Sequence, residues 1–375
     1  MQRIQEPFFE AKTNFELLEY VKTINPKQYQ NTRNSLNGGV TKLSPYITCG
    51  SLSLNEIKNS ILSKNKLADS MKLIQELAWR DFFQSVYLSL GKDIFKSIKR
   101  EQEFSVSNIM PVAILEAKTG IKIIDNAINK LYATGYLHNH ERMWIAMLVC
   151  NVAGTSWEVG SRWMYYYLID GDLASNTLSW QWVAGTFSAK KYFANQENLN
   201  KYGLTNDRQN KTFLDKTYEE IDYNSSNKIV PDIFKDRKPI VLENNTDYLA
   251  SFFDSLSNKE IQEIKELSAK GNLDNIFTIT TITENLRQES NPVLVYIENL
   301  EWLISLTKID FLVKQIKLIA PKTRILVLKE RDIRNPEYKQ ILNQLPKQER
   351  MFQGLTDYYP SFFKFWSKAE KLVLQ

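Results

Sequence analysis

The stretch from Leu168 to Gly185 reads LIDGDLASNTLSWQWVAG and gathers residue types that can do chemistry. Two carboxylates, Asp170 and Asp172, flank Gly171, and an amide, Asn176, and two indoles, Trp180 and Trp182, follow closely. Carboxylates at a glycine turn can accept hydrogen bonds from a heterocycle or pair with a cation. Indoles can stack on a planar ligand or relay an electron, although aromatic residues mostly pack, and a polar turn before a core helix is the competing account.

Two other segments repeat this mixture. In MKLIQELAWRDFFQSVYLSL, Glu76, Trp79 and Arg80 stand at i, i+3 and i+4 and so share one face of an otherwise apolar helix. In TGIKIIDNAINKLYATGYLHNHERMWIAMLVCNVAG, read as two helices joined at Ala133 to Gly135, Asn139, Arg142 and Met143 share a face in the same way. Ahead of both lies a weaker signal. Asn37-Gly38-Gly39 marks a turn, and Thr41, Lys42, Leu43 and Ser44 put hydroxyls and a lysine in a loop before Pro45, where backbone amides can hold a phosphate. Ser53 and Glu56 form a capping box for the next helix.

The elements needed to position these groups are helical up to about residue 205. FELLEYVKTI opens with helical spacing, and three helices each carry a polar and aromatic face, which points to an α-helical domain closing around a polar, planar ligand. Six of the eight tryptophans, Trp79, Trp144, Trp157, Trp163, Trp180 and Trp182, fall in this part. Residues 206–238, rich in Asn, Asp, Lys and Ser, read as a linker. From residue 239 short β-branched runs appear at Ile240 to Leu242, Phe277 to Ile282, Val293 to Ile297 and Ile325 to Leu328. They alternate with helical patterns such as Ile309 to Ile319, the signature of a small α/β domain with a mostly parallel sheet over 239–375. The tail YYPSFFKFWSKAEKLVLQ is an aromatic amphipathic helix that packs on one of the two domains.

Composition removes several classes. With 43% hydrophobic and 24% charged residues, the 375-residue chain has an ordinary globular balance. Only two cysteines and two histidines are present, so no disulfide framework, cysteine-ligated zinc site, iron–sulfur cluster or multi-histidine metal centre is expected. The run Met143 to Gly154 is too short to span a bilayer, and the first residues lack the apolar core of a signal peptide, so a cytoplasmic location is expected. Neither a GxGxxG fingerprint nor a Walker A loop occurs. A net charge of +5 permits a polyanionic partner without requiring one.

Taken together, TKLSPYITCGSLS, ELAWRDFF, TGIKIIDNAINKLYATGYLHNHERM and WEVGSRWMYYYLIDGDLASNTLSWQW resemble, in order and spacing, the FAD-binding helical domain of the photolyase/cryptochrome family, from about Tyr29 to Tyr202. The resemblance implies FAD as cofactor. It implies that Tyr29, Thr41, Lys42, Leu43 and Ser44 approach the FAD phosphates and ribityl chain, and that Arg80 and Arg142 flank the cofactor, with Arg142 paired to Asp170. Asp170 and Asp172 would lie near the isoalloxazine ring and the adenosine part, and Asn176 would face flavin N5, where an amide can tune the protonation of a reduced flavin.

On the substrate side the resemblance places Glu76, Trp79, Asn139, Met143 and Trp182 around a cyclobutane pyrimidine dimer flipped out of DNA, with Glu76 bonding the pyrimidine edge. Asn139 and Met143 stand where the (6-4) repair branch has histidines. Trp180 and Trp157 match the first two members of the family's electron-relay chain, and the third position falls near Phe104. His140 stands where many repair enzymes have a DNA-touching arginine. Family members usually begin with an α/β antenna-binding domain, whereas here the helical pattern begins near residue 1 and an α/β segment follows it. The implied function is blue-light-driven repair of pyrimidine dimers by a photolyase-like lyase. The alternative is a cryptochrome-like FAD photoreceptor that signals to a protein partner through the C-terminal α/β domain.

Overall fold

The computed structural model describes residue 11, residues 13–270, 276–278, 293–298, 302–329, 336 and 350–374. It is predominantly helical with small sheets and divides into two compact units. One draws on Ile24–Thr41, Lys64–Val241 and Phe352–Gln375, the other on Met1–Thr23, Lys42–Ser63 and Leu242–Met351.

The first unit is built on the helix Leu67–Leu90, which runs until Gly91. Behind it pack Lys122–Thr134, Asn139–Met147, Trp157–Tyr167 and Leu173–Ala184, whose apolar faces form one core containing Trp144, Trp157, Trp163 and Trp180. Each such aromatic ring buries enough area to stabilise the fold by about 2–3 kcal/mol. Between Lys122–Thr134 and Asn139–Met147 the chain turns at Gly135, with φ of +67°. A side chain there would also lie 2.6 Å from Ile169 Cγ2, so glycine is what lets this turn abut the residues leading into Asp170. Ile169 N–H donates to Gly135 O at 2.9 Å and fastens that contact.

Two expectations are corrected in this unit. Residues 206–238 are folded into it rather than forming a linker. Thr217 and Glu220 make a capping box for the helix Tyr218–Ser226, and Leu214, Ile221 and Phe234 enter the core while the polar residues face outward. The run Ile240 to Leu242 is not a strand. Arg237–Lys238 pairs instead, antiparallel with Met110–Pro111, and Pro239 cannot extend the ladder, so Val241 stays exposed. The C-terminal amphipathic pattern forms the helix Phe362–Leu374, which packs on Leu67–Leu90 through Phe365, Trp366 and Ala369.

The second unit contains a parallel three-stranded sheet with Val293–Glu298 between Ile276–Thr278 and Arg324–Lys329. Its central strand reads VLVYIE, a nearly apolar run of the kind parallel sheets use, and Val293 and Leu294 are buried. The helix Leu306–Ile319, capped by Ser305, provides the crossover that a parallel pair requires and buries Ile309, Leu312 and Ile316. The strands expected at Val293 to Ile297 and Ile325 to Leu328 are present. Of the run Phe277 to Ile282, residues 279–282 lie outside the described residues. The early helices Asn14–Thr23 and Leu54–Leu62 also belong to this unit, so its chain is discontinuous where the sequence suggests one C-terminal segment. The Ser53/Glu56 capping box is formed as expected. Among the described residues, no helix is long and apolar enough to cross a membrane.

Candidate functional site

The turn at Asp170 and Asp172 is where three helices of the first unit meet in hydrogen bonds. Asp170 has a fully buried carboxylate, and its Oδ2 accepts from Arg142 Nη2 at 2.7 Å. The same guanidinium donates twice to Leu137 O, from Nε at 3.1 Å and from Nη2 at 2.9 Å. Arg142 is thereby fixed between the end of one helical connection and the start of the next. Burial alone would depress its pKa, but the Asp170 carboxylate more than offsets this and carries it upward.

Asp172 has two tasks. Its Oδ1 accepts from Ser175 N–H at 2.7 Å and caps Leu173–Ala184, while its Oδ2 accepts from Gln84 Nε2 at 2.8 Å and faces Arg80 Nη2 at 3.8 Å. The expected Arg142–Asp170 pair is formed, and Arg80 lies beside Asp172. Gln84 is a site residue the motifs missed, although its place one and two helical turns beyond Arg80 and Glu76 puts it on the same face and could have signalled it.

On the next helix turn, Asn176 is almost wholly buried. Its Nδ2 donates to Ser161 O at 3.0 Å and to Ser161 Oγ at 3.3 Å. A carbonyl can only accept, so this pair identifies the amide's NH2 end as the one that meets Ser161 and leaves Oδ1 as its acceptor. Ser161 is a second missed residue. Its contribution is largely a backbone carbonyl, which no side-chain pattern reveals.

The tryptophans expected to relay electrons are buried. Trp180 lies directly on Gly160, where a Cβ would come within 2.4 Å of its Cζ3. Trp157 donates from Nε1 to Ser97 Oγ at 3.1 Å. Phe104, at the expected third position, is also buried and offers no surface exit.

The five residues expected around a DNA lesion have individual partners. Glu76 pairs with Lys72 at 2.8 Å and with Arg33 at 3.5 Å. Asn139 Nδ2 reaches Met143 Sδ at 3.4 Å, as their i, i+4 spacing implies. Trp182 leans on Tyr192, with centroids 5.9 Å apart. Trp79 is covered by Phe362, which stacks on it at 3.8 Å with planes 10° apart. Nearby, Tyr29 has a phenol whose pKa is raised by burial and by the Glu76 charge. Tyr29 and Thr41 belong to this unit, whereas Lys42, Leu43 and Ser44 belong to the other. There Lys42 adopts a left-handed φ of +55°, Leu43 is buried and Ser44 begins the helix Ser44–Thr48.

His140 does not stand free as an arginine substitute. Its ring stacks on Trp144 with centroids 5.4 Å apart, and its Nδ1 is bonded to Asn34 O. His138 caps its helix: its Nδ1 accepts His140 N–H at 3.1 Å and its own N–H donates to Glu141 at 2.7 Å. Burial, helped by His140 and Lys130, pushes the His138 pKa down to about 4.

Residues 73–261, half of the chain, match the FAD binding domain of DNA photolyase. The chain is 30% identical over 187 residues to a cryptochrome DASH of Natronomonas pharaonis, covering 47% of this chain and 40% of that protein. It is 31% identical over 160 residues to a deoxyribodipyrimidine photo-lyase of Streptomyces griseus, covering 42% and 35%. A solved Synechocystis cryptochrome is 25% identical with a TM-score of 0.45, over 53% of this chain and 46% of that one.

The chain belongs to the photolyase/cryptochrome family and carries its FAD-binding domain. Its cofactor is FAD. It spans well under half the length of these curated relatives. The donor set suits the cofactor. Two arginines offer donors to a polar, anionic cofactor, and the hydroxyls of Ser175 and Thr177, flanking Asn176, are buried with no hydrogen-bond partner among the described residues.

Proposed function

We propose that this protein uses blue light to split cyclobutane pyrimidine dimers in DNA. The observation that carries this is the locked Asn176 amide, which offers an acceptor rather than a donor. Facing flavin N5, such an acceptor favours the reduced, N5-protonated cofactor, the form able to donate an electron. When bound, reduced FAD supplies that electron on excitation. Arg142 and Asp170 hold the ring edge, Arg80 and Asp172 hold the adenosine side, and Tyr29 and Thr41 serve the phosphates and ribityl chain. Glu76 bonds the pyrimidine edge, Asn139 and Met143 line the lesion pocket with Trp79 and Trp182, and Trp180 with Trp157 restores the reduced state. A dimer stacks poorly in a duplex, so extruding it into such a pocket costs less than extruding a normal base.

The test is to photoreduce the purified protein with an external donor and add a dimer-containing oligonucleotide under blue light. Dimers are expected to disappear in light and persist in the dark, and persistence in light overturns repair.

One observation favours a second function. Phe362 already occupies the Trp79 face, as it would in a photoreceptor that keeps the family's flavin but does not admit DNA. In that case light changes the binding of a protein partner through the α/β segment, without loss of dimers.

A further inference from the structure

Trp79 is the member of the proposed lesion pocket whose ring face is already taken. Phe362 lies on it at 3.8 Å and 10°, the separation and tilt of a stacked base. Phe83 and Phe82 complete the surroundings, with centroids 5.5 Å and 5.9 Å from that of Trp79. The helix that delivers Phe362 is anchored by the residues that follow it. Phe365 packs against Phe82 at 5.6 Å, Tyr359 at 5.4 Å and Phe352 at 5.9 Å, and Trp366 and Ala369 are buried with it. Phe362 sits on the first turn, only half-buried, next to Phe363, which is 80% exposed. Phe362 also meets Phe82 at 5.9 Å, Trp366 at 6.1 Å and Phe365 at 6.4 Å, so its half-buried ring lies at the edge of the buried cluster that anchors the helix.

We propose that Phe362 is an internal stand-in for a base: it caps the Trp79 face, and lesion-bearing DNA enters by displacing it. This rests on the repair function above. Exchanging one aromatic stack for another is close to neutral for a base that is already unstacked, so a flipped dimer can make the exchange. DNA held only by its backbone does not reach the face and is indifferent to the cap. The Trp79 ring meanwhile keeps an aromatic partner when no lesion is present.

The test compares Phe362→Ala, Phe362→Trp and the unaltered protein in the dark, measuring binding of a labelled duplex with one thymine dimer and of its undamaged twin. F362A keeps the three anchoring residues, and its melting curve checks folding. F362A is expected to bind the dimer duplex about fivefold more tightly, with undamaged DNA unchanged, and F362W to bind it more weakly than the unaltered protein. If the unaltered protein selects and repairs dimers but neither variant shifts affinity in its stated direction, the cap is overturned and repair stands. If none of the three selects dimers and the unaltered protein repairs none, repair fails and the cap falls with it.

Discussion

Arg142 donates from Nη2 to Oδ2 of Asp170 across 2.7 Å, joining the helix Asn139–Met147 to the turn before Leu173–Ala184. The carboxylate is fully buried, so removing its cation leaves a buried charge poorly compensated. Arg142→Ala is expected to cost about 3–5 kcal/mol and to lower the melting temperature by roughly 10 °C. It should also empty the protein of flavin. Arg142→Lys should lie between, since one ammonium cannot serve Leu137 O and Asp170 in the same fork. Melting curves and the flavin-to-protein absorbance ratio check both.

Gln84 and Asp172 form the second tie between helices. A double-mutant cycle with Gln84→Leu and Asp172→Ala is expected to give a coupling energy of about 1 kcal/mol. The Asp172 variant alone should cost about 1 kcal/mol more than the Gln84 variant, because it also removes the cap on Ser175 N–H. Denaturant unfolding of the four proteins measures this, and additive effects would show that the 2.8 Å contact carries no weight.

Gly160 sets the seat of Trp180. Gly160→Ala would force a methyl against the indole, costing about 1–3 kcal/mol of overpacking. The ring must move, so flavin photoreduction by an external donor is expected to slow severalfold, as it should more severely in Trp180→Phe. A photoreduction rate unchanged in both variants would remove Trp180 from the relay.

His138 makes stability depend on pH. Its folded pKa of about 4 lies below the ordinary 6.5, because burial disfavours the cation and protonating Nδ1 would break the bond from His140 N–H. The unfolded chain therefore binds the proton first. Stability associated with this group is complete above pH 6.5 and falls as pH drops toward 4, by up to about 3 kcal/mol. His138→Asn retains a capping acceptor without a titrating ring, and its melting temperature should fall less steeply across that window.

Much of this site was legible from side chains at helical spacing. Glu76, Trp79 and Arg80 lie on one helix, and the Arg142 and Asp170 pair, implied by the family resemblance and not by spacing, is formed. Residues that act through backbone or shape were not legible. Ser161 works through its carbonyl, Gly160 through the space it leaves, and Gln84 through a partner far along the chain. The 206–238 stretch misled because its composition is polar, while three widely spaced apolar residues, Leu214, Ile221 and Phe234, decide its burial. Nor could periodicity show that an aromatic residue near the C-terminus, Phe362, would lie on Trp79.

The central claim is that an electron passes from this protein's reduced flavin to a pyrimidine dimer. The most direct measurement is the excited-state lifetime of the reduced flavin in the protein, with saturating dimer-containing DNA and with its undamaged twin. Repair predicts a lifetime shortened by the dimer alone, and a lifetime unchanged by bound dimer would contradict it.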